Sequence, residues 1–175
     1  MEKNKETRDL EDVFMHSRII EISTTPIDVK DQFNTSLLPE WFFHMIADSG
    51  DDVPDAEREG SLDWFVRRFG DKCHRDGDKV SFEPQMKTDF FKKSHEAFLS
   101  AASTLSKCSL DEFSGVAPQS DFFRAFFTLK SSFEDQFGFY VYNKENDELI
   151  TLDQWVRNAD LTQSYYIGGI IDYHW

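Results

Sequence analysis

The spacing of the large apolar residues changes along this chain from a helical period to a strand-like period. In residues 88–107, the positions that recur at intervals of three and four are Phe91, His95, Phe98, Ala102 and Leu105. This spacing predicts one face of a long amphipathic helix with Thr88 as its N-cap. A second Phe-rich helix is expected from Ser120 onwards.

The C-terminal third carries the signals of β-structure. Residues 138–142 and 148–152 flank a run of turn-forming residues, 143–147, and this arrangement predicts a hairpin. A short helix is expected around Trp155. Residues 164–173 are typical of a last strand, which contains two adjacent glycines.

The first half of the chain predicts fewer regular elements. Residues 18–23 and 79–83 have the composition of strands, and Pro39 suits the first position of an apolar helix over 40–48. Residues 48–60 are rich in acids, Gly and Pro, so they are expected to form an acidic loop.

Three segments share a pattern in which a hydroxyl residue is followed by Leu and Asp. They begin at Ser61, Ser109 and Thr151, and each is interpreted as a helix N-terminus rather than as a duplicated unit. The helix predicted from Ser61 ends at Gly70, and a polar loop is expected over 72–78.

Together these elements predict one α+β domain over residues 1–175. Several Phe-rich helices are expected to pack on a small, mainly antiparallel sheet formed largely by the C-terminal third. A length of 175 residues suits one domain, and the polar residues 1–9 are expected to be frayed.

The expected cellular location follows from the lack of secretory and membrane-spanning segments in the sequence. The first residues have no apolar stretch of a secretory signal, and no run approaches the roughly 18 apolar residues of a membrane helix. Cys73 and Cys108 are too few for a disulfide framework and are expected to be reduced thiols. We therefore expect a soluble, cytoplasmic protein with no membrane partner.

Charge limits the classes of partner. The chain has 19 basic and 33 acidic residues, a net charge of −14, with 39% hydrophobic residues. The apolar content is too high for a disordered acidic chain, and the sign disfavours direct contact with nucleic acid. Residues 36–60 alone hold one base and seven acids, so this segment is the strongest candidate for contact with a basic protein.

The candidate partner-binding residues fall into an acidic and an aromatic group. The acids are Asp48, Asp51, Asp52, Asp55, Glu57, Glu59, Asp147, Asp153 and Asp172. The aromatics are Tyr140, Tyr142, Tyr165, Tyr166, Tyr173 and Trp175. The alternatives left open are that the acids only solvate a loop and that the tyrosines belong to a core sheet.

No cofactor or metal is expected from the motifs. Cys73, His74, His95 and Cys108 match no zinc-ligand spacing, and Gly-rich phosphate loops are missing. Residues 48–59 align only in part with an EF-hand loop, because a valine stands where the sharp turn requires glycine.

Evidence for an enzyme is also weak. His44 and His95 have the chemistry of general bases, but neither can be paired with a nucleophile or an orienting carboxylate. We therefore expect a non-enzymatic acidic protein that neutralises a basic protein partner, as an immunity protein or antitoxin covers the active or substrate-binding site of a nuclease toxin. One alternative is a nucleic-acid mimic that inhibits a DNA- or RNA-binding protein, and a second is an enzyme of unrecognised family. The oligomeric state is left open.

Overall fold

The C-terminal strand lies at the centre of the sheet. In the computed structural model, which describes residues 16–175, β7 (Tyr165–His174) pairs antiparallel with β1 (His16–Ser23) along one edge. Two short strands share its other edge: β4 (Lys79–Phe82) pairs with its first residues and β2 (Ser49–Asp52) with its last. The expectations for residues 1–9 lie outside the described residues.

The remaining strands extend the sheet on both sides. β3 (Cys73–Asp76) pairs with β4 to form a hairpin, while β5 (Tyr140–Asn143) runs parallel to β1. β6 (Glu148–Thr151) completes the predicted hairpin with β5. The order is β3-β4-β7-β1-β5-β6 with β2 beside β7, and β1–β5 is the parallel pair in this mixed, mainly antiparallel sheet.

Helices connect and cover these strands. Those of the described chain are α1 (Glu40–Met45), α2 (Asp55–Arg67), α3 (Met86–Leu105), α4 (Leu110–Ser114), α5 (Ser120–Phe133) and α6 (Leu152–Asn158), with short 3-10 turns at Val29–Asp31, Thr35–Leu37 and Gly70–Lys72. The predicted α+β class is confirmed, and residues 16–175 form a single α+β domain. Within residues 16–175, no helix is long and apolar enough to cross a membrane.

Both faces of the sheet are buried. On one face, Ile20 and Ile22 of β1 pack with Leu62 and Phe65 of α2 and with Trp155 of α6. The opposite face holds a second cluster of buried residues: Ile19, Phe33, Phe42, Ile46, Ala47, Tyr140, Ile171 and Tyr173. On β7, Tyr165 and Tyr173 are therefore buried, while Tyr166, Asp172 and His174 of the same strand stay partly exposed.

The Phe-rich helices pack mainly on one another. The start of α3 reaches the core through Met86, with Phe90 and Phe91 partly buried beside it. Farther along, α3 packs against α5, where Ala101 and Ala125 are buried.

The structure corrects two predicted loops. Residues 48–60 form β2 and the start of α2, and residues 72–78 contain β3. β2 has a poor strand sequence, Ser-Gly-Asp-Asp, but pairing with β7 overrides this propensity. Asp55 and Glu57, which were expected in the acidic loop, lie in the first turn of α2, where carboxylates are favoured by the helix dipole.

Two of the three predicted helix starts are confirmed. Ser109 forms a capping box with Glu112, and the Thr151 side chain accepts a hydrogen bond from the backbone N–H of Gln154. Ser61 is not a cap, since α2 begins at Asp55 and Ser61 is buried in its interior.

Candidate functional site

Four exposed carboxylates form an acidic edge on the molecule, consisting of Asp48, Asp51, Asp55 and Glu57. The first two lie just before and within β2, and the other two lie in the first turn of α2. Pairing with β7 is the one strand contact that β2 makes within the described chain, so β2 borders the sheet here. No basic side chain of residues 16–175 forms an ion pair with any of the four.

Two other acids of the same segment have partners. Glu59 is 2.6 Å from Arg75, and this hydrogen bond and charge hold the pKa of Glu59 below its usual value. Asp52 accepts a 2.8 Å hydrogen bond from the backbone N–H of Thr35. These two carboxylates therefore have intramolecular roles beside the acidic edge.

The predicted acids of the C-terminal third are dispersed. Asp147 accepts a hydrogen bond from the Tyr142 hydroxyl in the β5–β6 turn. Asp153 accepts a 2.7 Å hydrogen bond from the backbone N–H of Asp135, and burial raises its pKa. They lie on different elements from the acidic edge and do not extend it.

Three predicted aromatic anchors are core residues. Tyr140, Tyr165 and Tyr173 are 4%, 5% and 0% exposed, and each hydroxyl donates to a backbone carbonyl. Burial raises the pKa of Tyr140 to about 12 and raises that of Tyr173 further. Their assignment to a partner surface is corrected, because these three rings pack in the core clusters and have almost no exposed area.

The other predicted aromatics differ in exposure. Tyr142 is half-buried and stacks on Phe33 with ring centroids 3.9 Å apart, and Tyr166 is also half-buried. Trp175 is exposed and its ring lies 5.1 Å from that of Phe137.

An apolar flank that sequence reasoning missed borders the acidic edge. It consists of Trp41, Phe43, Met45, Phe137 and Trp175, all of them exposed. Their position follows from the chain path, since α1 ends three residues before Asp48 and the backbone N–H of Asp48 donates to the carbonyl of His174, next to Trp175. The signal was present in α1, whose sequence Glu-Trp-Phe-Phe-His-Met contains four large apolar residues although only Phe42 is buried.

The residues of the enzyme alternative are not brought together. His44 is exposed beside Glu40 on α1, and His95 lines an apolar groove between α3 and α5. Neither a cysteine nor a carboxylate lines this groove.

The two cysteines differ in burial. Burial raises the pKa of Cys73 to about 12, so only about one molecule in ten thousand carries its thiolate at pH 8. Cys108 is more accessible. We expect one fast-reacting thiol in the native chain and two in denaturant, measured with a chromogenic disulfide reagent. Equal rates for both thiols in the native protein would contradict this burial.

A second polar cluster lies on β1 and β7, next to the acidic edge. His16 Nδ1 is 3.2 Å from both carboxylate oxygens of Asp172, and Arg18 forms an ion pair with the same carboxylate. The rings of His16 and His174 have centroids 3.7 Å apart. Asp172, a predicted partner-binding acid, is thus engaged within the molecule.

Arg18 is held from several sides. Its Nε donates to the Ser61 hydroxyl at 3.3 Å, and its guanidinium lies 5.1 Å from the centroid of the Trp64 ring. Burial lowers the pKa of Arg18, while the carboxylates of Asp172 and Glu57 oppose that shift.

Sequence reasoning missed this cluster because its members are more than 150 residues apart. A local signal existed, since His16 and Arg18 alternate on one strand and Asp172 and His174 alternate on another. Only the register between β1 and β7 brings the two pairs together.

No family model, curated protein or solved structure matches this chain.

Proposed function

We propose that this chain is a non-enzymatic acidic protein that acts in the cytoplasm by binding and neutralising a basic protein partner, as immunity proteins and antitoxins neutralise nuclease toxins. The observation that carries the proposal is the acidic edge. Its four exposed carboxylates lack basic partners among residues 16–175, on a chain whose net charge is −14. Carboxylates left free in this way are available to Lys and Arg side chains of another protein.

The apolar flank supplies the second requirement of a stable interface. Charge steers association and selects the partner, whereas buried aromatic residues provide most of the binding free energy. Trp41 and Trp175 are 43% and 40% exposed, so each has apolar area left to bury. Acids beside exposed tryptophans therefore favour a protein partner.

The compactness of the acidic edge favours an inhibitor over a nucleic-acid mimic. Asp48 and Asp51 are three positions apart in an extended segment, or about 10 Å, and Asp55 and Glu57 both lie in the first turn of α2. A single turn of duplex DNA extends over about 34 Å. Each of these two pairs extends over less than half of that length, which suits a basic groove on a protein better than it imitates a run of phosphates.

Affinity capture tests the proposal. The tagged full-length chain is used as bait in a lysate of its source cells, beside a variant with Asp48→Asn, Asp51→Asn, Asp55→Asn and Glu57→Gln. We expect the wild type to retain a basic protein and to inhibit its activity, and the variant to bind it at least about tenfold more weakly.

A matched control removes four charges elsewhere. The substitutions Asp89→Asn, Glu96→Gln, Asp111→Asn and Glu148→Gln change exposed acids that form no ion pair with described residues. This control is expected to bind like the wild type. Retention of neutral or acidic proteins only, or equal weakening in both variants, would refute the proposed role of the acidic edge.

A further inference from the structure

Two imidazoles and one carboxylate converge on one face of the β1–β7 pair. The antiparallel register places His16 opposite His174 and Arg18 opposite Asp172, so these side chains share a face of the sheet. One donor atom from each of His16, Asp172 and His174 lies within 4.8 Å of the other two. We propose that these three residues bind a divalent transition-metal ion, with zinc as the reference ion.

The distances between donors suit a single ion. His16 Nδ1 and Asp172 Oδ2 are 3.2 Å apart. Two ligands of a tetrahedral zinc ion at bond lengths of about 2.0–2.1 Å are separated by about 3.3 Å. The third donor, on His174, lies within 4.8 Å of the other two, and all three groups are partly exposed.

The surrounding charge favours a cation. Asp51 of β2 lies directly opposite Asp172 of β7, and like charges in such a pair are destabilising. Glu57 adds a third carboxylate close enough to influence Arg18. Asp172 and Glu57 act on the Arg18 guanidinium, and Asp51 lies opposite Asp172, so a divalent ion would offset the excess negative charge of this cluster.

Arg18 leaves part of the Asp172 carboxylate available. Its guanidinium is paired with Oδ1, while His16 Nδ1 lies 3.2 Å from both Oδ1 and Oδ2. An outer partner that orients a ligating carboxylate is a common feature of metal sites. Arg18 is therefore a positioning residue for Asp172 in this site.

The donor set selects the class of metal. Ca²⁺ and Mg²⁺ prefer sites made of oxygen ligands, whereas imidazole suits Zn²⁺, Cu²⁺, Ni²⁺ and Fe²⁺. Two imidazoles and one carboxylate leave a fourth position for water or for a group of a partner. Bound metal would also link β1 to β7, which lie at opposite ends of the described chain.

Calorimetric titration of the full chain with zinc tests the site directly. We expect one equivalent to bind to the wild type, with a rise in Tm on saturation because the ion binds the folded state. His16→Gln and His174→Gln are each expected to weaken binding by about tenfold to hundredfold and to abolish the rise in Tm. A double variant, His44→Gln with His74→Gln, changes two exposed histidines elsewhere and is expected to bind like the wild type.

Cobalt(II) provides a readout that needs no variant. Intense visible absorption on addition of one equivalent to the wild type would report a tetrahedral site with nitrogen ligands. Circular dichroism of both glutamine variants verifies that they remain folded. The site is refuted if zinc does not bind, if both variants bind as tightly as the wild type, or if the control loses as much affinity as they do. The result is independent of the proposed function, since it requires no protein partner.

Discussion

Replacing Glu21 by alanine is expected to lower the free energy of unfolding by about 3–5 kcal/mol. The Glu21 carboxylate is 0% exposed in the middle of β1. It accepts hydrogen bonds from the backbone N–H groups of Phe33 at 2.8 Å and Gly169 at 2.7 Å, and from Lys144 Nζ at 2.9 Å. Alanine would leave two buried N–H groups without an acceptor, and each such group costs about 1–3 kcal/mol.

Chemical denaturation measures this loss of stability, and two further variants serve as comparisons. Glu21→Gln keeps one oxygen acceptor and is expected to lose roughly half as much stability. Glu148→Ala removes an exposed carboxylate from β6 and is expected to change stability by less than about 0.5 kcal/mol. One hydrogen bond contributes roughly 1 kcal/mol net. If the free energy of unfolding of Glu21→Ala were within about 1 kcal/mol of the wild-type value, the buried contacts of Glu21 would not be formed.

Gly169→Ala is expected to destabilise the chain by about 3 kcal/mol or more. A Cβ at this position would overlap the backbone carbonyl oxygen of Phe33. The backbone of Phe33 cannot move away easily, because its N–H is bonded to the buried Glu21 carboxylate. The register of β1 and β7 shifts at the same place, between Ile20 and Ile22, so this glycine lies in a bulge.

Gly60→Ala is the matched control for that substitution. Gly60 lies inside α2, and a Cβ there would have no neighbour within 4 Å. Alanine is therefore expected to stabilise the helix by about 0.5–1 kcal/mol. Thermal unfolding of the two variants is expected to show stability changes of opposite sign, a lower Tm for Gly169→Ala and a higher Tm for Gly60→Ala. A neutral or stabilising effect of Gly169→Ala would mean that Phe33 does not approach β7 so closely.

Local sequence signals indicate the bulge at Gly169 and the burial of Glu21, but not the residues that they contact. Two adjacent glycines inside a predicted strand indicate a close backbone approach, and a glutamate within the apolar segment Arg18–Ser23 indicates a buried partner. Neither observation identifies the partner. Glu21, Gly169 and Lys144 come together through strand pairing over more than 100 residues.

Local chemistry predicted the helices and most strands. The β5–β6 hairpin, the capping box at Ser109 and the last strand all follow from patterns within a few residues. β2 could not be found in this way, since its sequence lacks strand propensity and its pairing depends on β7. Composition made Tyr165 and Tyr173 candidate partner-binding residues but could not reveal that both rings lie in the core clusters of the sheet.

The acidic edge was predicted by composition, and the structure sharpened it to four residues. Composition alone could not distinguish Asp51, which has no ion-pair partner among described residues, from Glu59, which is bonded to Arg75. The apolar flank was missed because exposure of Trp41 and Phe43 depends on the tertiary position of α1. Charge and aromatic area together define the surface that the partner is proposed to cover.

The salt dependence of partner binding tests the proposed function most directly. The dissociation constant for the captured basic protein is measured from about 50 to about 500 mM NaCl, for the wild type and for the variant that lacks the four charges of the acidic edge. We expect the wild-type constant to rise by at least about tenfold over this range and the variant to show a much weaker dependence. A wild-type constant that does not change with salt, or the same dependence in both proteins, would contradict the proposal that the acidic edge binds a basic partner.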